Sequence, residues 1–498
     1  MEELKHLGNP IEFWEYFYAI SKIPRCSGKE EEIRIYINSE AKKFGFETEI
    51  DDAKNLLVKI PGNAKSVDTL PTIVLQSHMD IVCEKNKDSE HDFARDPLKL
   101  ELIEIDNEKW VTAKGTTLGA DNGVGIAYQL AIMKQLYDGK LDLNSINLKL
   151  LFTVDEEMGL KGASQLKREF AKGNYLVNID SEDDSTFTVG CAGGIQFRTK
   201  FKLYKQRFLN TNLVPVKIQV KGLLGGHSGV DIDKGRAHAV NIISQILWKV
   251  NKEFDINIIS IDGGNLSNAI PREAQAEFFI HESKKANLID FIRQNFKEIE
   301  KLYDGIEPNM ELIFENINKE NEYVMKKDFQ DKLLNLFYVM PTGPLIFHPR
   351  IKNLVHTSMN FATIKTRDQV VKIRISIRSV SNYHKEVLHD KVLSLLDFSD
   401  LEYETYKYVK YPSWPPKFDS KLNQIAKEVY LDLFNDDVKI QAIHAGLECA
   451  YFSDYFPEMD VISFGPDIKG GHSPDERLRI KSVEKIWKIL INLIKKLA

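Results

Sequence analysis

Residues 72–80 read TIVLQSHMD, a short apolar run that turns polar at Gln76 and leads to His78 and Asp80. An apolar run without alternation is typical of a strand buried on both faces, as in a parallel sheet. Three more runs of this kind also lead into acidic or imidazole side chains: 148–154 before Asp155-Glu156-Glu157, 175–179 before Asp180, and 461–464 before the loop that reaches His472. The sequence therefore predicts a mostly parallel sheet with polar side chains at its strand ends.

Helical patterns lie between these strands. Apolar residues recur at steps of three and four over 126–137, and Asp138-Gly139 follows as a stop signal. Near the C-terminus an apolar stripe over 483–494 follows Ser482, which we expect to cap the helix. Strands that alternate with helices indicate an α/β fold.

The middle of the chain has a different pattern. Residues 214–220 and 371–377 alternate apolar with polar side chains, as half-exposed antiparallel strands do. A chain of 498 residues is also too long for one ordinary core. We therefore expect an inserted α+β domain over 187–395, with 1–186 and 396–498 forming the α/β core.

Composition argues against nucleic-acid-binding, secreted, membrane-spanning and cysteine-rich classes of protein. A net charge of −6, with scattered Lys and Arg, gives no reason to expect nucleic acid. The N-terminus has no apolar run long enough for a signal peptide, and no stretch approaches the ~20 apolar residues that cross a bilayer. The four cysteines lack CxxC spacing, so we expect neither a disulfide framework nor a cysteine zinc finger, and we place Cys83 in the core. The expected location is the cytoplasm and the expected partner a small molecule.

The polar strand ends predict a metal site. An open α/β sheet binds small molecules and ions at the carboxyl ends of its strands. Asp121 adds a further carboxylate, from the turn at 119–123 that opens the following helix. Carboxylates and imidazoles gathered there would cost several kcal/mol each if buried unpaired. Two divalent ions would balance the charge of these carboxylates. Ions roughly 3.5–4 Å apart can share a bridging carboxylate and a bridging water. Histidine and carboxylate ligands without cysteine favour Zn²⁺, Mn²⁺ or Co²⁺.

Several motifs, in this order, resemble the M20 metallopeptidase family. They are His78-x-Asp80, Gly-Ala-Asp121-Asn-Gly, Asp-Glu156-Glu157, Asp180, Gly-Gly-His227-Ser-Gly, Gly-Gly-Asn-Leu-Ser-Asn268-Ala-Ile, His444-Ala-Gly-Leu-Glu448 and Gly-Gly-His472-Ser-Pro. The resemblance covers nearly the whole chain. It implies a two-metal hydrolase that cuts the amide bond of short peptides, with dipeptides, Xaa-His and others, as the expected substrates.

The resemblance also implies a role for each residue of the site. His78 and Asp180 would bind one metal, Glu157 and His472 the other, and Asp121 both. Asp80 would orient the His78 imidazole, and Glu156 would be the general base. The family often has a cis peptide after the bridging aspartate, so we expect Asp121–Asn122 to be cis.

The inserted domain would be a lid and the dimerisation surface of a homodimer. His227, from its own subunit or the partner, would stabilise the tetrahedral oxyanion. Asn268, Arg378 and His444 would bind substrate, with Arg378 suited to its free carboxylate.

Other interpretations stay open. His227 and Asn268 fit plain turns, Arg378 fits a surface strand, and His444 and Glu448 fit the packing of a helix start. An aminotripeptidase, an N-acyl amino acid deacylase and a non-catalytic binding homologue are the alternative functions. A nucleotide loop is disfavoured at 119–125, which lacks the GxGxxG spacing and the Walker lysine.

Overall fold

The computed structural model describes residues 7–62, 70–143, 145–207, 212–317 and 323–498. The chain forms two compact units. The first unit comprises residues 1–191, 414–442 and 447–498, and the second comprises residues 192–413 and 443–446. No helix among the described residues is both long and apolar enough to span a membrane.

The strands are as follows, in chain order. They are β1 (Glu47–Ile50), β2 (Leu56–Ile60), β3 (Thr72–His78), β4 (Leu100–Ile105), β5 (Glu108–Ala113), β6 (Asn147–Thr153), β7 (Tyr175–Asn178), β8 (Thr186–Cys191), β9 (Gly193–Lys202), β10 (Lys205–Arg207), β11 (Leu213–Lys221), β12 (Gly226–His227), β13 (Asn257–Gly263), β14 (Ala269–Ile270), β15 (Ala274–His281), β16 (Glu311–Asn316), β17 (Tyr323–Met325), β18 (Gly343–Phe347), β19 (Val355–Arg367), β20 (Val370–Ser379), β21 (Tyr403–Tyr411), β22 (Lys439–Ile443), β23 (Asp460–Ser463), β24 (Ile468–Lys469) and β25 (Arg477–Arg479).

The α-helices follow in the same order. They are α1 (Ile11–Ile20), α2 (Glu31–Lys43), α3 (Ala120–Tyr137), α4 (Lys161–Ser164), α5 (Ala239–Glu253), α6 (Lys285–Leu302), α7 (Lys327–Val339), α8 (Asn382–Phe398), α9 (Lys421–Phe434), α10 (Cys449–Tyr455) and α11 (Ile480–Leu497).

The first unit is built on an eight-stranded sheet of order β1-β2-β6-β3-β7-β23-β8-β22. Its four middle strands, β6, β3, β7 and β23, are mutually parallel. These are the four strands predicted from apolar runs, and the α/β fold class is confirmed. Buried side chains of α1, α3 and α11, among them Phe13, Tyr128 and Ile486, belong to its core. A separate four-stranded sheet, β24-β25-β5-β4, includes the strands on either side of the His472 loop.

The second unit is built on a nine-stranded sheet of order β16-β11-β15-β13-β19-β20-β9-β21, with β18 paired to β19. All of its pairings are antiparallel. The alternation predicted over 214–220 and 371–377 lies in β11 and β20. The described part of this unit also contains the helices α5, α6, α7 and α8.

The second unit is longer than the predicted insertion. We expected the core to resume at residue 396, but α8 runs across that position and β21 pairs with β9 of the second unit. Backbone pairing therefore keeps the chain in the second unit up to residue 413. Residues 443–446, which include His444, also belong to it.

Two local predictions are wrong. Cys26 and Cys83 form a disulfide, so Cys83 is not a free core thiol. Their 57-residue separation hides a proximity that only the tertiary fold creates. Ser482 does not cap the last helix, because α11 begins at Ile480 with Arg479 as its N-cap. The Ser482 hydroxyl instead donates to the Arg479 carbonyl oxygen at 2.6 Å.

Candidate metal centre

Parallel strands bring acidic and imidazole side chains to one edge of the first sheet. His78 is the last residue of β3 and is 1% exposed. Glu156 and Glu157 follow the end of β6, and Asp180 follows the end of β7. Because β6, β3 and β7 are parallel neighbours, their carboxyl ends meet at the same edge, where α/β sheets bind ligands.

Asp121 lies at the start of α3 between two imidazoles. Its Oδ1 is 2.9 Å from His78 Nε2, and its Oδ2 is 3.2 Å from His472 Nε2. The Asp121–Asn122 peptide bond is cis, as predicted. Neither residue has helical backbone angles, although both lie within the helix bounds. This carboxylate therefore presents one oxygen to each of two ligand sets.

Two groups of three side chains share Asp121, and the ligand atoms within each group lie within 4.8 Å of one another: His78, Asp121 and Asp180, and Asp121, Glu157 and His472. A third group joins His78 to Glu156 and Glu157. The structure thus brings together the five predicted ligands and the predicted base.

Burial, aided by neighbouring negative charge, raises the pKa of two carboxyl groups in this centre. Burial raises the pKa of Asp180 to about 6, although the neighbouring His78 opposes the rise. Burial also raises the pKa of Glu156 well above its ordinary value, and the Asp180 and Glu157 carboxylates add to the effect. Both side chains are costly to ionise without a cation.

The imidazoles respond in the opposite sense. Hydrogen bonds to Asp121 and Glu157 raise the pKa of His472 to about 11. Burial alone would raise the pKa of Asp121, but its hydrogen bonds with His472 and His78 outweigh burial and hold that pKa well below the ordinary value. The two histidine protons thus compensate part of the negative charge, and a metal would replace them, because a ligating imidazole must be neutral.

Within the described part of the chain, one buried oxygen of this centre lacks the partner that a cation would supply. Glu157 Oε1 is buried and has no hydrogen-bond partner among the described residues. A buried acceptor without a partner costs about 1–3 kcal/mol, and more when the group is charged. Imidazole nitrogens and carboxylate oxygens without a thiolate suit Zn²⁺, Mn²⁺ or Co²⁺. The residues therefore fit a pair of divalent metal ions.

Asp80 links the His78 imidazole to the acidic pair. Its carbonyl oxygen lies 3.1 Å from His78 Nδ1, and its Oδ1 lies 3.4 Å from the same nitrogen. Oδ1 also accepts from the Glu156 backbone N–H at 3.0 Å, while Oδ2 accepts from the Glu157 N–H at 3.2 Å and the Ser27 hydroxyl at 2.8 Å. Asp80 therefore fixes the acidic turn as well as the imidazole, a wider role than the sequence indicated.

Glu476, which the sequence analysis did not single out, fixes the segment that carries Asp121. Its carboxylate accepts backbone N–H groups from four consecutive residues: Leu118 at 2.7 Å, Gly119 at 2.9 Å, Ala120 at 2.7 Å and Asp121 at 3.2 Å. The side chain is buried, with 2% exposed. Nothing in the sequence distinguishes it from its neighbour Asp475, because its partners lie more than 350 positions away along the chain.

Arg25 is the second residue that the sequence analysis missed. Its guanidinium donates to the carbonyl oxygens of Met79 at 3.1 Å, Asp80 at 3.4 Å and Gly119 at 2.6 Å. Burial lowers its pKa to about 10. Arg25 thus ties the segment after β3 to the segment before α3, so both sides of the metal centre are fixed by one side chain.

Glu448 belongs to the same sheet edge and does more than pack a helix start. Its Oε2 accepts from Nε2 of Gln76, on β3, at 2.6 Å and from the hydroxyl of Thr153, on β6, at 2.7 Å. Its Oε1 is buried without a hydrogen-bond partner among the described residues. Burial raises the pKa of Glu448 to about 8, and the nearby Asp180 adds to the rise while His78 opposes it.

The second unit brings Arg378, a predicted substrate residue, close to His227, the predicted oxyanion stabiliser. Arg378 Nη1 donates to the Tyr411 hydroxyl at 2.9 Å, and Nη2 lies 3.4 Å from His227 Nε2. Arg378 is only 5% exposed, so its interpretation as a surface residue is wrong. A Cβ built on Gly229 would come within 2.6 Å of the His444 carbonyl oxygen and 2.9 Å of the His227 ring, which shows how close these residues lie.

The other two predicted positions differ in exposure. His444 is buried, and its Nε2 lies 2.7 Å from the Ser358 hydroxyl. Burial, together with the Arg378 charge, lowers the pKa of His444 to about 3. Asn268 is exposed, and its carbonyl accepts from the Ser228 N–H at 2.7 Å, beside the β12–β14 pairing. Its side chain is therefore open to solvent within this unit.

Similarity to known proteins extends over nearly the whole chain. The profile of Peptidase family M20/M25/M40 matches residues 74–496. The chain is 36% identical to the cytosol non-specific dipeptidase of Escherichia coli K12, over 100% of this chain and 99% of that protein. The structure resembles the aminoacylhistidine dipeptidase of Vibrio alginolyticus, with a TM-score of 0.86, 32% identity and coverage of 98% and 97% of the two chains.

A tripeptidase from Staphylococcus aureus is similar in fold alone, with a TM-score of 0.54 and 16% identity over 98% of each chain. The family profile, by contrast, spans most of the sequence, and the Escherichia coli relative matches it from end to end. On that evidence the chain belongs to Peptidase family M20/M25/M40.

Proposed function

We propose that this protein is a two-metal dipeptidase that hydrolyses the amide bond of dipeptides, Xaa-His and others. One observation carries the proposal: the Asp121 carboxylate lies 2.9 Å from one imidazole and 3.2 Å from another, each within its own group of ligand atoms. The names of the two full-length relatives, both dipeptidases, support the substrate class.

Five side chains would hold the metals. His78 and Asp180 would bind the first ion, Glu157 and His472 the second, and Asp121 both. Zn²⁺ is the expected ion, and Mn²⁺ or Co²⁺ also suit these ligands. Two such ions, when bound, polarise the scissile carbonyl and make water nucleophilic near neutral pH.

Glu156 is the proposed general base. It accepts a proton from the attacking water and delivers it to the departing nitrogen. Glu156 must be ionised to accept that proton, and cations bound beside it would favour its ionised form, since burial and the neighbouring carboxylates otherwise raise its pKa. The hydrogen bond from the Glu156 N–H to Asp80 keeps the backbone of the base in place while its side chain exchanges the proton. Asp80 is thus a positioning residue.

The second unit is proposed to bind the substrate and to serve as lid and dimerisation surface. Arg378 would bind the free carboxylate of the dipeptide, since its buried Nε has no partner among the described residues. His227 would stabilise the tetrahedral oxyanion, and Asn268 and His444 would complete the substrate contacts. We also propose a cytoplasmic homodimer.

The test is metal-dependent release of free amino acids. The protein would be dialysed against a chelator, supplied again with Zn²⁺, Mn²⁺ or Co²⁺, and assayed on β-Ala-His, Gly-His and Leu-Gly. Restored cleavage is expected, and Glu156→Gln is the matched control because it keeps the ligands and loses the base. Faster cleavage of tripeptides or N-acetyl amino acids than of every dipeptide would replace the proposed substrate class. Failure of every metal form to cleave a peptide would contradict the proposal itself.

A further inference from the structure

The Cys26–Cys83 disulfide lies beside the residues that fix the metal centre. Cys26 stands between Arg25 and Ser27, and both neighbours contact Asp80. Cys83, the other half of the disulfide, lies three residues after Asp80. Between them, the Ile81 N–H donates to the Arg25 carbonyl oxygen at 3.1 Å. The covalent link therefore joins the same two segments that these hydrogen bonds join.

The pair differs from the two other cysteines in access to solvent. Cys26 and Cys83 are half-buried and are each followed by exposed residues, at 28–29 and 84–85. Cys191 and Cys449 are free thiols with 0% exposure, and burial raises the pKa of Cys191 to about 12. Since thiol exchange needs access and a thiolate, the disulfide pair is the reactive site.

We propose that Cys26 and Cys83 are a reversible redox site that controls how tightly the metal centre holds its ions. This inference rests on the proposed two-metal function. Within the proposed cytoplasmic location, thiols are normally kept reduced, and disulfides that do form there usually sense redox state or take part in catalysis. A disulfide next to the metal centre fits a sensing role.

The reacting partner is a low-molecular-weight disulfide. One cysteine thiolate attacks a sulfur of that compound, which forms a mixed disulfide and releases one thiol. The second cysteine thiolate then attacks the mixed disulfide, which forms the Cys26–Cys83 bond and releases the second thiol. The two cysteines lose two electrons and two protons in total, and the small disulfide is reduced to two thiols.

The oxidised pair stabilises the metal centre through Asp80. A cross-link restricts the motion of the segments it joins, so Arg25 and Ser27 stay against Asp80, which in turn fixes His78 and the acidic turn. Reduction removes that restriction and leaves only the hydrogen bonds. Loss of support around metal ligands typically lowers affinity 10–100-fold, and we expect about tenfold here because the hydrogen bonds remain.

The experiment measures thiol state and metal affinity without substrate. The intact protein would be equilibrated in glutathione buffers from reducing to oxidising and desalted without oxygen. Its free thiols would be trapped with a maleimide and assigned by mass spectrometry. Mn²⁺ affinity of each state would come from competition with a chelator. We expect the Cys26 and Cys83 peptides to change state together, and the oxidised form to bind Mn²⁺ about tenfold more tightly.

Two variants complete the test. Cys83→Ser should bind Mn²⁺ with the affinity of the reduced protein in every buffer, whereas Cys191→Ala should keep the response. The inference is overturned if the two thiols stay free in oxidised glutathione, or if both states bind Mn²⁺ equally. If Mn²⁺ affinity follows the redox state while no dipeptide is cleaved, the inference stands and the proposed function fails.

Discussion

Two acidic clusters of the first unit have similar spacing, but different cations balance their negative charge. Asp183, Asp184 and Asp467 place three ligand atoms within 4.8 Å of one another, as the groups around Asp121 do. This salt-bridged cluster has its own permanent cations. Arg479 Nη2 lies 2.6 Å from Asp184 and 2.7 Å from Asp467, and Lys485 Nζ lies 2.9 Å from Asp184.

The metal centre has no such pairing among the described residues. Its carboxylates face His78 and His472, whose positive charge depends on a bound proton, and Arg25 donates to carbonyl oxygens instead. Arginine keeps its charge at any working pH, whereas histidine gives up its proton to a metal. Spacing alone therefore does not identify a metal site. Carboxylates that face histidines indicate one, whereas carboxylates that already pair with arginine or lysine do not.

The largest effect that this comparison predicts is that of Asp121→Asn. The change removes the charge that both ligand groups share, so we expect both metals to be lost. Dipeptide hydrolysis should fall by more than the roughly 10²–10⁴-fold that one acid–base group contributes. Metal content after gel filtration and the hydrolysis rate measure this. Asp467→Asn, in the salt-bridged cluster, is the control and should keep both. A metal-loaded Asp121→Asn protein would remove the basis of the comparison.

Glu156→Gln separates the base from the ligands. It keeps the shape of the side chain and cannot accept the proton, so kcat should fall by about 10²–10⁴-fold with unchanged metal content. Steady-state kinetics on one dipeptide and elemental analysis of the same sample provide the measurement. Loss of a metal ion in this variant would instead make Glu156 a ligand, as its group with His78 and Glu157 allows.

Glu476→Gln tests the support of the Asp121 segment. The amide turns an N–H group toward backbone N–H donors, so part of the four-donor arrangement is lost. We expect metal affinity to fall by about 10–100-fold, measured by chelator competition. The exposed neighbour Asp475→Asn is the matched control and should bind metal normally. Unchanged affinity in Glu476→Gln would mean that the segment is fixed by other contacts.

The smallest effect is predicted for Arg479→Gln, which removes a permanent cation from the salt-bridged cluster. Arg479 is partly exposed, so we expect a loss of only about 1–3 kcal/mol in the free energy of unfolding. Metal content at the Asp121 centre should not change. Millimolar Ca²⁺ should raise the Tm of the variant more than that of the wild type, because the carboxylates then lack a partner. Thermal unfolding with and without Ca²⁺ is the measurement, and equal shifts would contradict the idea.

Much of the first unit could be predicted from local pattern. The apolar runs of β3, β6, β7 and β23 identified four parallel strands, because a strand buried on both faces has to be apolar throughout. The polar residues just after those runs were therefore expected at one sheet edge, and the structure brings them together there. The individual roles of these residues came from the family resemblance and stay predictions.

The boundary of the second unit was harder to predict. Residues 396–413 carry no linker signal, and only the pairing of β21 with β9 assigns them to the second sheet. The sequence was also compatible with Arg378 as a surface strand residue. Arg378 is buried because other parts of the second unit cover its position on β20, and the alternation of side chains along one strand does not reveal such packing.

Local sequence was enough to predict the fold class, the strands that carry the site and the residue types that point to a divalent metal, because each depends on neighbours close along the chain. The Cys26–Cys83 pairing, the support of Asp121 by Glu476 and Arg25, and the difference between the two acidic clusters became visible only in the folded chain. Each of these depends on groups that are far apart in sequence and meet only when the sheet assembles. Compensation of charge is a property of that three-dimensional neighbourhood.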